Sequence, residues 1–350
     1  MTLRLAAFEW RYAAARVTFW AAAALFAVMG FALAATEFGP ADVAINGAYA
    51  VTYSVGFLSL ISVFASTVLA APSLLRDREY QMAEMVYSTS VTKSDYLMGK
   101  LLGSLLVVLT AFAFSLPGLW AGTFLAKHDP SRLVGFHVSY YLSAFTLLAV
   151  PSTFFVTALL FAVAALTRST LATYVGGTAL YVLYHVAALL TSSPIMAGAK
   201  AMSAEAMAVA ALLDPFGLSA FLEQTHHFTA AERNVRLVEL SGHFLASRLI
   251  FTAVAAGILA FAYRRFAFRV DDEKKRKTEG ADPTPTPSVP YRATPPDARR
   301  SLAPFWSATR LDVLAVLQSK PFVVLLLLWV GGALIESLQT FQSAELGTAL

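Results

Sequence analysis

The chain has 350 residues, of which 57% are hydrophobic and 14% charged, with a net charge of +4 and no cysteine. Soluble domains carry about 25% charged residues, so an ordinary soluble protein is excluded and several membrane spans of about 20 apolar residues are implied. The missing cysteine excludes disulfides, thiolate metal sites and a cysteine nucleophile.

Residues 1–16 read as an amphipathic helix. Leu3, Ala6, Ala7, Trp10 and Ala14 share one helical face, and Arg4 and Arg11 share another. Such a helix can lie in the membrane interface with Trp10 at headgroup level; a plain basic anchor before a span fits the same residues. Seven apolar runs follow, at 17–35, 51–75, 101–126, 139–166, 171–190, 249–268 and 321–338. The first run is longer than the apolar core of a signal peptide, although Ala34-Ala35-Thr36 mimics a cleavage site. With the N-terminus inside, 20 of the 26 Lys and Arg residues fall on the inner side. That asymmetry sets the expected orientation.

On the second run, Thr52, Ser59 and Ser66 recur every seven residues with Ser62 beside them. This small polar stripe suits helix packing and would also suit a conduit. On the third, Gly99-x-x-x-Gly103 and Gly118-x-x-x-Gly122 read as close-packing sites. Pro151 predicts a kink in the fourth, with Ser152, Thr153 and Thr157 available to satisfy freed backbone groups. The short turn at 167–170 predicts a tight antiparallel hairpin. On the fifth run, Tyr174, Tyr181 and His185 share a face with Gly177 and Thr178. They would line a substrate path or pack in the aromatic belt.

Residues 191–248 lie outside and suggest two short helices broken at Asp214-Pro215-Phe216-Gly217. His226, His227 and His243, with Glu223 and Glu239, do not make a recognised metal-ligand spacing. Residues 271–304 form a charged, proline-rich linker. Beyond it, Leu311-Asp312 and Phe322 echo Phe8-Glu9 and Phe19 at a constant offset. Residues 305–350 therefore read as the start of a second copy of a six-span unit that occupies 17–270. The expected fold class is an all-α polytopic membrane protein, a six-helix unit plus the first helix of a second.

Catalytic motifs are missing. There is no His-Glu-x-x-His, no Gly-x-Ser-x-Gly, and Gly99-Lys100 lacks the upstream glycine of a P-loop. The spans carry no Asp, Glu, Lys or Arg except at their ends, and His185 is their one imidazole, which argues against a proton relay or an intramembrane protease. No enzyme activity and no bound cofactor are expected of the chain itself.

Residues 76–100 interrupt two runs with a polar stretch. Arg78-Glu79 and Glu84 lie on a helical segment, Ser88-Thr89-Ser90-Val91-Thr92-Lys93 breaks it, and Ser94 or Asp95 can cap the next helix through Tyr96 and Gly99-Lys100. A solvated hairpin is the simplest reading. Yet this order resembles the first cytoplasmic loop of ABC transporter permeases of the type-2 exporter class, and residues 1–270 follow that family's layout. Gln81-Met82 depart from it, standing where the family usually has Gly-Thr. A subgroup that joins two six-span units and a zinc aminopeptidase in one chain is more similar still, through the Asp214 turn and the restart after Pro304.

The resemblance implies a permease in a bacterial inner membrane with its N-terminus cytoplasmic. Its partner would be a cytoplasmic ABC ATPase, which uses the ATP. Arg76, Arg78, Glu79, Glu84, Lys93 and Lys100 would form the coupling region. A second permease unit would complete the transporter, and nucleic acid is not an expected partner. An accessory scaffold subunit, or the membrane part of a longer permease–aminopeptidase chain, is the alternative.

Overall fold

A computed structural model describes residues 1–80, 82, 85–86, 89–125, 128–190, 193 and 203–266. The expected linker and seventh span lie outside the described residues, as does Glu84. The fold is an all-α membrane architecture: the described residues contain no strand, and six helical stretches are long and apolar enough to cross a bilayer.

Helix α1 is Thr2–Ala14, and α2 is Val17–Ala35. Helix α3, Ala48–Leu69, runs almost directly into α4, Ala71–Glu79. Residues Arg76–Glu79 of the polar stretch are thus the last turn of α4. Helix α5, Lys93–Ala113, starts earlier than the apolar run because the Thr92 hydroxyl accepts the Asp95 N–H at 3.1 Å. Helix α6, Ser115–Gly122, continues it after an offset at Phe114, and Pro117 in its first turn explains the break.

Helix α7 is Val138–Ala144, a π-helical turn covers Phe145–Ala149, and α8 is Val150–Thr167. The π turn is how the chain accommodates Pro151, whose ring would clash with the carbonyl four residues earlier. The hydroxyls predicted to help do not act locally. Ser152 Oγ donates across to Phe216 O at 3.2 Å, and Thr153 and Thr157 find no partner among the described residues. Arg168, in the left-handed region at φ 54°, turns the chain into α9, Thr170–Leu190, forming the expected hairpin.

Helices α10, Ala204–Leu213, and α11, Leu218–Thr225, are the two short helices on either side of the Asp214 turn. Helix α12, Ala230–Val235, starts with a Thr229/Glu232 capping box. Helix α13 is Gly242–Arg265. It begins before the apolar run at 249, so Arg248 belongs to the helix rather than to a loop.

Two ends can be distinguished. The base carries α1, α4, the start of α5 and the end of α13, tied by Lys93 Nζ over the Tyr263 ring at 4.6 Å. The crown carries loops 36–47 and 128–137 with α10–α12. There Arg132 and His128 both bind Glu37, the latter at 2.9 Å, and Asn234 Oδ1 accepts the Ala44 N–H at 2.7 Å. Between them the core is aromatic and aliphatic, with Phe26 on Phe112 at 5.0 Å and Tyr49 on Phe221 at 4.8 Å between ring centroids.

Both glycine pairs of the third run are contact sites. A Cβ on Gly118 would strike the Ala27 carbonyl and one on Gly122 the Phe31 carbonyl, so α6 and α2 touch backbone to backbone. Gly99 and Gly103 receive α1: added Cβ atoms would lie 2.8 Å from Leu5 Cβ and 2.5 Å from Glu9 Cβ. Because Thr2 meets Asp95 while Glu9 meets Gly103, α1 runs alongside α5 in the same direction. Its contact face is Thr2, Leu5, Ala6 and Glu9. Leu3 and Trp10, of the face expected to be apolar, remain exposed.

Candidate functional site

At the base, four charges from three helices meet in the interior. Glu9 of α1 and Lys100 of α5 are 3% and 2% exposed. Lys100 Nζ lies 2.9 Å from Glu9 Oε1 and 2.8 Å from Asp77 Oδ2 of α4, and it donates to Ser73 O at 2.9 Å. Arg76 Nη2 donates to both Glu9 oxygens, at 2.8 and 2.9 Å, while its guanidinium stacks over Tyr12 at 4.0 Å. Tyr96 Oη completes the shell, donating to Asp77 Oδ2 at 2.9 Å.

Two acids and two bases make the cluster neutral, and each lysine or carboxylate contact is charge-assisted. Its place along α5 explains how it is tolerated. The Lys93–Gly122 stretch of 30 residues is about 45 Å long, against about 30 Å of hydrocarbon core. The apolar part beyond Lys100 is long enough to fill that core alone, which leaves the charges room outside the hydrocarbon.

The structure redistributes the polar residues singled out in 76–100. Arg76 and Lys100 turn inward into the network. Glu79 is exposed and accepts a hydrogen bond from Thr170 Oγ1 at the α8–α9 turn. Lys93 is half-buried against Tyr263. The Arg78 side chain lies outside what is described. Sequence reasoning missed Glu9 and Asp77. The available signal was Gly99 and Gly103 flanking Lys100, which demands a close neighbour beside a buried cation.

Elsewhere, Thr52, Ser59, Ser62 and Ser66 are all 3% exposed or less. Thr52, Ser59 and Ser62 bond carbonyls of their own helix, and Ser66 Oγ has no partner among the described residues. In this unit the stripe is interior packing surface. On α9, Tyr174 is 36% exposed and Tyr181 and His185 are half-buried; His185 Nδ1 approaches Tyr181 O at 2.9 Å. Gly177 of the same helix packs on Thr67 of α3.

No family model and no curated protein matches this chain.

At the crown the Asp214-Pro215-Phe216-Gly217 turn is built around Arg248. Asp214, 4% exposed, accepts the N–H groups of Phe216 and Ser219 at 2.8 and 2.6 Å, so it caps α11. Its carbonyl accepts from Ser247 Oγ at 3.0 Å and Arg248 Nη2 at 3.1 Å. Gly217 has φ 75°, and a Cβ there would meet the guanidinium. Phe216 packs on Tyr184 at 4.8 Å. His243 Nδ1 lies 3.2 Å from Glu223 Oε1, and Glu239 pairs with Arg236 at 3.1 Å. Among the described residues no three such groups are gathered to hold a metal ion.

Proposed function

We propose that this chain is the transmembrane permease subunit of an ATP-driven ABC transporter, seated in a bacterial cytoplasmic membrane with its base facing the cytoplasm. A separate cytoplasmic ATPase would dock on α4, the segment that follows it, and the base of α1. A second permease unit would supply the other half of the pathway.

The observation that carries this reading is the Glu9–Arg76–Asp77–Lys100 network. It ties an exposed polar segment to the base of a long membrane helix through short, buried, charge-assisted contacts. Pushing on α4 would therefore move α1 and α5 with it. Through the glycine contacts of α6 with α2, the same displacement would reach the crown. A plain solvated hairpin has no need of such a buried anchor. Glu79 on the exposed face of α4, with Arg78 and Glu84 beside it in sequence, would meet the ATPase, while Arg76 and Lys100 would transmit the motion.

The test is affinity purification of the tagged full chain from its native membrane. An ABC ATPase should copurify with the wild type and be lost from a Glu79→Lys, Glu84→Lys variant that still folds. A wild-type preparation free of any ATPase would contradict the proposal.

A further inference from the structure

Beside the charge network a cavity of about 90 Å³ opens between α1, the first turn of α2, the α3–α4 junction and α5. Val68, Leu69 and Val107 form an apolar wall, and Tyr12, Arg16 and Ser73 a polar one. The Tyr12 ring carries two guanidinium groups, Arg76 at 4.0 Å and Arg16 at 4.5 Å from its centroid. The cavity's two carboxylates are already engaged: Glu9 by Arg76 and Lys100, and Glu79 by the Thr170 hydroxyl. Arg16 differs. It is exposed, donates to the Tyr12 hydroxyl, and has no carboxylate partner among the described residues. Ser73 Oγ, on a side chain 6% exposed, is buried without a partner among the described residues.

The surroundings point to lipid. Arg16 immediately precedes the span α2. Val17 beside it is 84% exposed and Trp20 54%, an apolar and aromatic surface at the end of a span, of the kind that sits at a lipid interface. Trp20 Nε1 donates to Ala14 O at 2.9 Å, which ties the ring to the end of α1, one turn beyond the cavity-lining Arg16. An unmatched cation, a free hydroxyl and an apolar wall together suit a group with a phosphate at one end and hydrocarbon at the other.

We infer that this cavity binds the phosphodiester headgroup of a membrane lipid, with the phosphate on Arg16 and Ser73 and the acyl chains along Val17 and Trp20. The leaflet concerned depends on the orientation proposed above; the binding does not.

Native mass spectrometry of the full chain in detergent tests this. The chain is incubated separately with phosphatidylglycerol, phosphatidylethanolamine, diacylglycerol of the same chains, and inorganic phosphate. At least one phospholipid should be retained and diacylglycerol should not. Arg16→Gln should lower the retained fraction about ten-fold, as expected for loss of a charge-assisted hydrogen bond, and Arg16→Lys should lose less. Ser73→Ala removes a hydroxyl without an internal partner, so it should weaken retention while leaving thermal unfolding unchanged; it serves if Arg16→Gln fails to fold. Equal retention of diacylglycerol, unchanged retention in both the Arg16→Gln and Ser73→Ala variants, or displacement of the lipid by inorganic phosphate would overturn the assignment. Copurification of an ATPase plays no part in this measurement, so the two proposals can fail separately.

Discussion

Lys100 and Glu9 meet at 2.9 Å although one sits on a membrane-crossing helix and the other near the start of the chain. Both are almost fully buried, and neither has water to fall back on. Breaking a buried pair from one side leaves an uncompensated charge and costs about 3–5 kcal/mol. Glu9→Gln and Lys100→Met should therefore each destabilise strongly. The double variant should recover most of the loss, because Arg76 and Asp77 remain to neutralise each other. Chemical unfolding in detergent measures this; additive losses would show that the two residues do not interact.

The same relationship requires that α1 stay in contact with α5. Gly103→Ala places a Cβ 2.5 Å from Glu9 Cβ and 3.0 Å from Ala6 O. Overpacking of this kind costs about 1–3 kcal/mol. Hydrogen exchange over residues 2–14 should accelerate. Gly257, with nothing within 4 Å, is the control, and Gly257→Ala should leave α1 unchanged.

At the crown, Arg248→Met should cost about 1.5–3 kcal/mol, the value of a hydrogen bond to a charged donor. The loss should appear as faster exchange in 214–225, with 2–14 unaffected. Gly217→Ala should cost about 1–2 kcal/mol for its left-handed backbone alone, and more once the guanidinium is displaced.

The capping box of α12 gives a pH dependence. The Thr229 N–H and then its hydroxyl, donating to Glu232, hold that carboxyl below the usual glutamate range. A depressed carboxylate stabilises above its unfolded pKa, and the contribution is lost as pH falls through its folded value. The protection of 229–235, taken relative to the intrinsic exchange rate at each pH, should thus fall only below the ordinary glutamate range. Glu232→Gln should abolish the pH dependence.

Much of this was legible in the sequence, and the misses share a cause. Apolar runs, the Gly99/Gly103 and Gly118/Gly122 pairs and the 214–217 break are local signals, and the helices and contacts follow them. The sequence predicts a cap at Ser94 or Asp95 for the helix ahead of the third span, and the structure moves that cap to Thr92, so α5 begins at Lys93; what the sequence does not show is that Lys100 is buried, and Arg248 hides the start of α13 in the same way. In each case a distant partner cancels the charge or accepts its hydrogen bonds: Glu9 and Asp77 for Lys100, and the Asp214 carbonyl for Arg248. Glu9 alone, on an amphipathic helix, carries no mark of burial. Periodicity reports which face is apolar, not which distant charge will meet it.

In the proposed permease the network carries motion from α4 to the membrane helices. The chain has no cysteine, so spin labels at the exposed Met98→Cys on α5 and at Ser131→Cys in the crown report a single distance. That distance should change when ATP is added to the chain bound to its ATPase. In the Glu9→Gln, Lys100→Met background, with folding and ATPase binding retained, the change should be abolished. An ATP-dependent change of the same size in both backgrounds would show that the network does not carry the motion.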